Sequence, residues 1–250
     1  MVKIKIRAAK GFSLIELLVV VALIGLLAAL LLPALSSAMN RARSAACVNH
    51  LHEMGLALQM YVQDNGSHYP GGLWFDKLQP YYAIDWTNTA YHCPGYQGQC
   101  TRFEGELPHD ALGSYAYNFF GVRGYDPRSA FSNFVSVGLC AVRYEGPGIA
   151  QSQIQAPSEM FAIGESRHRG ERGVANASGV FASFCGYLDG APEYYGRPQL
   201  PKRHGQNYNQ LCCDGHVDGR PPRILFNPTN TAVRWNIDHL AHPEFCPPFE

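Results

Sequence analysis

Residues 11 to 35 read GFSLIELLVVVALIGLLAALLLPAL, and this stretch decides the architecture of the amino-terminal end. It is apolar apart from a few interruptions: Ser13, Glu16, Gly25 and Pro33. About 20 apolar residues are enough for a helix to cross the hydrocarbon core of a bilayer. The stretch therefore predicts a transmembrane helix over residues 12–35.

The residues before Phe12 form a short basic leader, residues 1–11. It contains Lys3, Lys5, Arg7 and Lys10 and no acidic residue, so we expect it to remain in the cytoplasm. A secretory signal peptide is cut behind its apolar core and loses that core. A cut after Gly11 would instead remove the leader and leave the apolar helix on a mature chain that starts at Phe12.

The order Gly11, Phe12, three residues, Glu16 resembles the cleavage signal of the type IV pilin and pseudopilin superfamily. The resemblance extends to Pro33, where many members have a helix-bending proline. It implies cleavage by a prepilin peptidase between Gly11 and Phe12 and N-methylation of Phe12. It also implies an assembly role for Glu16, whose carboxylate would pair with the Phe12 amine of a neighbouring subunit. A carboxylate at membrane depth costs a few kcal/mol and usually has a partner.

The helix is predicted to continue through residues 36–66 as an amphipathic segment. Apolar residues recur at three- and four-residue steps, namely Met39, Ala42, Ala46, Leu51, Met54, Leu58, Tyr61 and Val62. Asp64-Asn65-Gly66 predicts the end of the helix, since glycine accepts the left-handed cap conformation. The apolar side requires a covering surface, which we expect to be a sheet.

Residues 67–250 are predicted to form one extracytoplasmic, β-rich domain. Aromatic and branched residues indicate strands within residues 114–122, 134–142 and 159–165. Asp-Gly turns in NQLCCDGHVDGR, residues 209–220, indicate a hairpin. The expected fold class is α+β, a pilin-like fold in which the long amino-terminal helix packs on an antiparallel sheet with long loops.

A second resemblance lies near the carboxyl end: His204, nine residues, then Asp214-Gly215. A bacterial subfamily of pilin-like proteins has this motif, and CVNHLHEMGLALQMYVQDNGSHYP, HCPGY, SYAYN and PSEMFAIGES support the match. Cys212-Cys213 depart from it, because aromatic or small apolar residues are usual there.

The side chains of His204, Asp214, His216 and Asp218 suggest a metal or catalytic site. Calcium is one candidate, but the set lacks a dense carboxylate cage, and zinc would need a firmer His and Cys set. The simplest interpretation is that Asp214-Gly215 forms a turn and His204 hydrogen-bonds nearby backbone. We therefore expect no metal, no cofactor and no catalysis.

Eight cysteines lie beyond the apolar run, at positions 47, 93, 100, 140, 185, 212, 213 and 246. Disulfides are the default outside the cytoplasm. Cys93 and Cys100 are the most plausible local pair, because both lie in one loop rich in proline and glycine.

Charge excludes one class of partner. Without the leader the chain has 16 basic and 20 acidic residues, so we expect no nucleic-acid binding.

The prediction is a non-enzymatic filament subunit of a type II secretion or type IV pilus-like system. It would sit in the bacterial inner membrane as a single-pass protein with a cytoplasmic amino terminus and a periplasmic domain. Its partners would be other pilin-like subunits, the peptidase, the assembly machinery and membrane lipid. The alternative is a membrane-anchored ligand- or metal-binding domain, or a hydrolase, that uses His204 and Asp214.

Processing provides the first test. If the peptidase needs the small residue at position 11, Gly11→Val should leave the chain at full length and unassembled. Mass spectrometry of the wild-type protein should find Phe12 as the first residue. Any other mature start would contradict the assignment.

Overall fold

The computed structural model describes residues 13–71, 74–82, 85–96, 114–119, 121, 138–140, 146–165, 204, 207–225 and 228–242. The chain divides into two compact units, one up to Asn40 and one from Arg41 onward. Helix α1, Leu14–Asp64, contributes residues to both units.

In the first unit, α1 exposes its apolar side chains on every side. The large apolar residues from Leu14 to Leu35 are between 45% and 78% exposed. The helix is long and apolar enough to cross a membrane by length and composition, and Pro33 lies within it. An exposed apolar surface of this size marks a lipid or protein contact. This helix fits a membrane-anchored protein, and it is the one candidate span among the described residues.

In the second unit, α1 packs against a four-stranded antiparallel sheet. The buried stripe of the helix consists of Cys47, Leu51, Met54, Gly55, Ala57, Leu58, Tyr61 and Val62. The sheet has the order β2-β4-β5-β6, with the strands β2 Tyr115–Tyr117, β4 Phe161–Glu165, β5 Tyr208–Cys212 and β6 Val217–Arg220. A Cβ at Gly55 would lie 2.8 Å from the Leu211 side chain, so glycine lets α1 approach β5 closely.

The other face of the sheet is covered by the carboxyl-terminal segment. This segment contains the short helices α3, Pro222–Leu225, and α4, Pro228–Thr231. The Trp235 ring packs edge-on against Phe161 at 5.4 Å. Asn118 donates to the carbonyls of Phe161 and Trp235 at 2.7 and 2.8 Å. Because both faces are covered, β4 and β5 are buried at every position.

The described residues also contain a smaller antiparallel pair of strands. Strand β1, His68–Pro70, pairs with β3, Pro147–Ala150, and helix α2, Trp74–Leu78, follows β1. The α2 residues Trp74 and Phe75 pack with Trp86 and Tyr117 in an aromatic cluster.

The structure confirms the α+β fold class, the long helix and the hairpin, whose strands are β5 and β6. Helix α1 ends at Asp64, and Gly66 has φ +65° as its sequence predicted. The predicted start of the buried stripe was wrong, because Met39 and Ala42 are exposed. The buried residues of α1 begin at Cys47. Of the candidate strand at 134–142, the described residues 138–140 form a bend.

Two leucines on α1 test this packing. Leu51 is 0% exposed and Leu56 is 68% exposed. Leu51→Ala should lower the free energy of unfolding by about 2–5 kcal/mol, because it removes buried contacts and leaves a cavity. Leu56→Ala should change it by less than about 0.5 kcal/mol. Urea unfolding of the full chain in detergent, followed by tryptophan fluorescence, measures both. Equal effects would contradict the assigned helix face.

Candidate functional site

The amino-terminal end of α1 is closed by a capping contact. The Glu16 carboxylate accepts a hydrogen bond from the Ser13 backbone N–H at 2.9 Å, and Leu17 N–H donates to the Ser13 carbonyl at 3.2 Å. This is one half of a capping box, in which the third helical residue satisfies a backbone donor of the cap. This contact is a finding of the structure, although Ser-x-x-Glu before an apolar run is its sequence signature. Gly11 and Phe12 lie outside the described residues.

At the carboxyl-terminal motif, the imidazole of His204 is fully buried and turned toward acidic and sulfur groups. Its Nε2 lies 2.7 Å from Glu165 Oε1 and 3.0 Å from Cys93 Sγ. The side chains of His204 and Glu165 are both 0% exposed. The backbone of His204 has φ +48°, a conformation that is uncommon for a residue with a side chain. The expectation that His204 bonds nearby backbone was therefore wrong.

Glu165 is held in place by the sheet. It is the last residue of β4, and its Oε2 accepts the backbone N–H of Asn209 at 3.0 Å. Its Oε1 faces His204 and also lies 3.5 Å from Cys93 Sγ. The fixed pairing of β4 with β5 thus aims one carboxylate oxygen at the histidine.

Cys93 forms a disulfide with Cys47 of α1, with 5.1 Å between the two Cα atoms. The predicted partner, Cys100, lies outside the described residues, and the pairing with Cys93 was wrong. Cys100 was the expected partner because it is close to Cys93 in sequence. The Cys93 side chain is instead buried beside Cys47 of α1, which is 46 residues earlier in the chain. The Ser114 hydroxyl fixes this position by accepting the Cys93 backbone N–H at 2.8 Å.

Asp214 and Gly215 form the turn between β5 and β6. Asp214 Oδ1 accepts the His216 backbone N–H at 3.1 Å and contacts His216 Nδ1 at 2.6 Å. Gly215 has φ +98° and donates to the Cys212 carbonyl at 3.0 Å. Asp218 instead pairs with Arg220 and Arg234. The structure therefore gives His204 different neighbours from the Asp214, His216 and Asp218 that the sequence grouped with it.

Cys212 and Cys213 are buried thiols. Burial raises the pKa of Cys212 to about 12, although the nearby Arg234 guanidinium lowers it. Burial also raises the pKa of Cys213, which belongs to the core under α1. Both thiols remain protonated at neutral pH, so they act here as small core residues.

Sequence reasoning missed Cys47 and Glu165 as neighbours of His204. The segments that match the carboxyl-terminal motif family could have indicated this cluster. Each of them contains one residue that lies close to His204: Cys47 in CVNHLHE, Cys93 in HCPGY and Glu165 in PSEMFAIGES. Glu165 also ends an apolar strand, where a buried charge requires a partner. Four side chains, Cys47, Cys93, Glu165 and His204, have ligand atoms that all lie within 4.8 Å of one another.

Comparison with known proteins bears on the amino-terminal segment. Residues 6–32 match the family model described as the prokaryotic N-terminal methylation motif. The chain has the amino-terminal segment of the type IV pilin and pseudopilin superfamily. This superfamily segment includes Gly11, Phe12 and Glu16.

Two curated relatives share the pilin segment. The type IV wide pilus major component PilA4 of Thermus thermophilus is 45% identical over 62 residues, 25% of this chain and 47% of that protein. The type II secretion system core protein G of Pseudomonas aeruginosa is 39% identical over 59 residues, 24% of this chain and 42% of that protein. The chain thus spans less than half the length of the curated relatives it matches. No solved structure matches it.

The turn assignment can be tested at Gly215. A Cβ there would meet nothing within 4 Å, so only the backbone conformation opposes a side chain. Gly215→Ala should lower the free energy of unfolding by about 1–2 kcal/mol. Asp214→Asn should change it by less than about 0.5 kcal/mol, because the amide oxygen can still accept the His216 N–H. Urea unfolding measures both, and a larger loss from Asp214→Asn would mean that the aspartate charge has a further role.

Proposed function

We propose that this protein is a structural subunit of a filament of the type II secretion or type IV pilus class. The observation that supports this best is an exposed apolar helix that has Glu16 as a capping residue in its first turn and matches the prokaryotic N-terminal methylation motif. The two relatives support it as well, since one is named a pilus component and the other a secretion system core protein.

We place the subunit in the bacterial inner membrane before assembly. The basic leader, residues 1–11, lies in the cytoplasm, residues 12–35 cross the bilayer, and residues 67–250 form the periplasmic domain. A prepilin peptidase cuts between Gly11 and Phe12, and the new Phe12 amine is methylated. The inner-membrane assembly machinery then moves the subunit from lipid into the filament.

In the filament, the helices of neighbouring subunits replace lipid around residues 14–35. Glu16 provides the registering contact, because its carboxylate meets the Phe12 amine of the next subunit in a layer of low dielectric constant. Pro33 lies farther along the same helix, where the missing backbone donor weakens one turn. In the single subunit, the Glu16 carboxylate binds the Ser13 N–H instead. Assembly would therefore exchange a capping contact for a charge pair.

Three variants separate the charge of Glu16 from its capping role. Glu16→Ala removes both, whereas Glu16→Gln keeps a capping acceptor and loses the charge. Both should be cleaved, inserted and folded like the wild type. Both should lose filament incorporation at least about tenfold, since breaking a desolvated charge pair costs several kcal/mol. Glu53→Gln, at an exposed position of the same helix, is the matched control and should assemble normally.

The measurement is the fraction of subunit that co-sediments with sheared or purified filaments, with membrane insertion followed by fractionation. If Glu16→Gln assembles like wild type while Glu16→Ala does not, the cap accounts for the requirement and the charge pair is wrong. If both assemble normally, the proposed contact with Phe12 is wrong altogether.

A further inference from the structure

We propose that Cys47, Cys93, Glu165 and His204 form a tetrahedral zinc site when the two cysteines are thiols. Two sulfurs, one imidazole nitrogen and one carboxylate oxygen meet within 4.8 Å. These are the donor types that zinc prefers, and four is its usual number of ligands. The disulfide between Cys47 and Cys93 is the oxidised, metal-free form of the same pair.

The disulfide alone does not explain why a histidine and a glutamate converge on Cys93. A buried disulfide is neutral and needs no charged neighbour. Here Glu165 Oε1 and His204 Nε2 lie 3.5 and 3.0 Å from Cys93 Sγ. Both side chains are fully buried. A buried carboxylate is costly unless it is paired, hydrogen-bonded or bound to a metal, and a divalent cation would compensate its charge.

The size of the cluster suits the ion. Zinc bonds of about 2.0–2.3 Å in a tetrahedron place ligand atoms about 3.3–3.8 Å apart. The measured separations of 2.7, 3.0 and 3.5 Å among Glu165, His204 and Cys93 need only a small expansion. Two sulfurs on one zinc ion are too far apart to be bonded, so zinc and the disulfide exclude each other. Zinc binding to the dithiol releases the thiol protons and changes no oxidation state.

The surrounding residues hold the proposed ligands in place. Asn209 N–H donates to Glu165 Oε2 at 3.0 Å, and Asn209 Nδ2 makes a longer bond of 3.4 Å to Oε1. A carboxylate oxygen has two lone pairs, so Oε1 can accept this amide and still bind a metal. Ser114 Oγ accepts the Cys93 N–H. A Cβ at Gly95 would lie 3.2 Å from His204 Cε1 and 3.6 Å from Cys93 Sγ, so a larger residue would crowd the site. Outer contacts of this kind orient the ligands of zinc sites.

The donor set also selects among metals. Calcium and magnesium take oxygen ligands, whereas thiolates and imidazole favour zinc and other late transition metals. The site would join α1, the segment around residue 93, the end of β4 and His204, all within the second unit. Zinc binding would then stabilise the folded domain, because the unfolded chain lacks the preformed site.

The test uses the full chain in detergent, reduced with a phosphine and stripped of metal, with the thiols counted before use. We expect it to bind one equivalent of Zn²⁺ by elemental analysis after desalting. Zinc should also slow the alkylation of Cys47 and Cys93, measured by mass spectrometry. Co²⁺ should give sulfur-to-cobalt charge transfer and the visible bands of a tetrahedral site. Absence of stoichiometric zinc, or a cobalt spectrum without sulfur charge transfer, would overturn the proposal.

Matched variants locate the ion. Cys93→Ser, Glu165→Gln and His204→Asn should each weaken zinc binding by at least about a hundredfold, since loss of an outer contact alone costs about 10–100-fold. His216→Gln and Cys212→Ser should leave the affinity unchanged. Circular dichroism checks the fold of each variant, and the wild-type measurements decide the question if a variant fails to fold. Loss of binding in His216→Gln, or full binding in His204→Asn, would place the ion elsewhere.

Discussion

The second unit depends on the contact between the buried stripe of α1 and the four-stranded sheet. The stripe runs from Cys47 to Val62, and Gly55 lets the helix come close to Leu211 on β5. Polar contacts fix the same interface, since Gln59 Nε2 donates to the Cys213 carbonyl at 2.7 Å. The sheet alone would expose an apolar face, and the helix alone would expose the stripe. Each element therefore requires the other.

The same helix meets two different environments along its length. From Leu14 to Leu35 its large apolar side chains are all exposed, whereas from Cys47 onward most apolar side chains are buried along one stripe. The first pattern suits lipid or a bundle of like helices, and the second suits a globular domain in water. Glu16 is the exception in the first segment, and the Ser13 N–H satisfies it within the single chain. This division of the helix is what a subunit needs if it is stored in a membrane and assembled through its amino-terminal half.

The carboxyl-terminal motif combines two roles that its sequence does not separate. Asp214 and Gly215 make the tight connection between β5 and β6. His204 reaches Glu165 and Cys93 in the interior. The two parts are linked through β5, because the turn sets the β5–β6 hairpin and Asn209 of β5 binds the glutamate. One short sequence motif thus contributes Asp214 and Gly215 to a turn and His204 to a buried polar cluster.

Features that depend on local composition and short-range geometry could be predicted from the sequence. The apolar run, the end of α1 just before Gly66 and the Asp-Gly hairpin are of this kind, because side-chain composition and backbone conformation act over a few residues. Which helix residues are buried depends on tertiary structure, and for this reason the prediction that Met39 and Ala42 belong to the buried stripe was wrong. It also decided that Cys93 meets Cys47, and that His204 meets Glu165. Those pairs are far apart in the chain, and only the docking of α1 and the register of β4 against β5 bring them together.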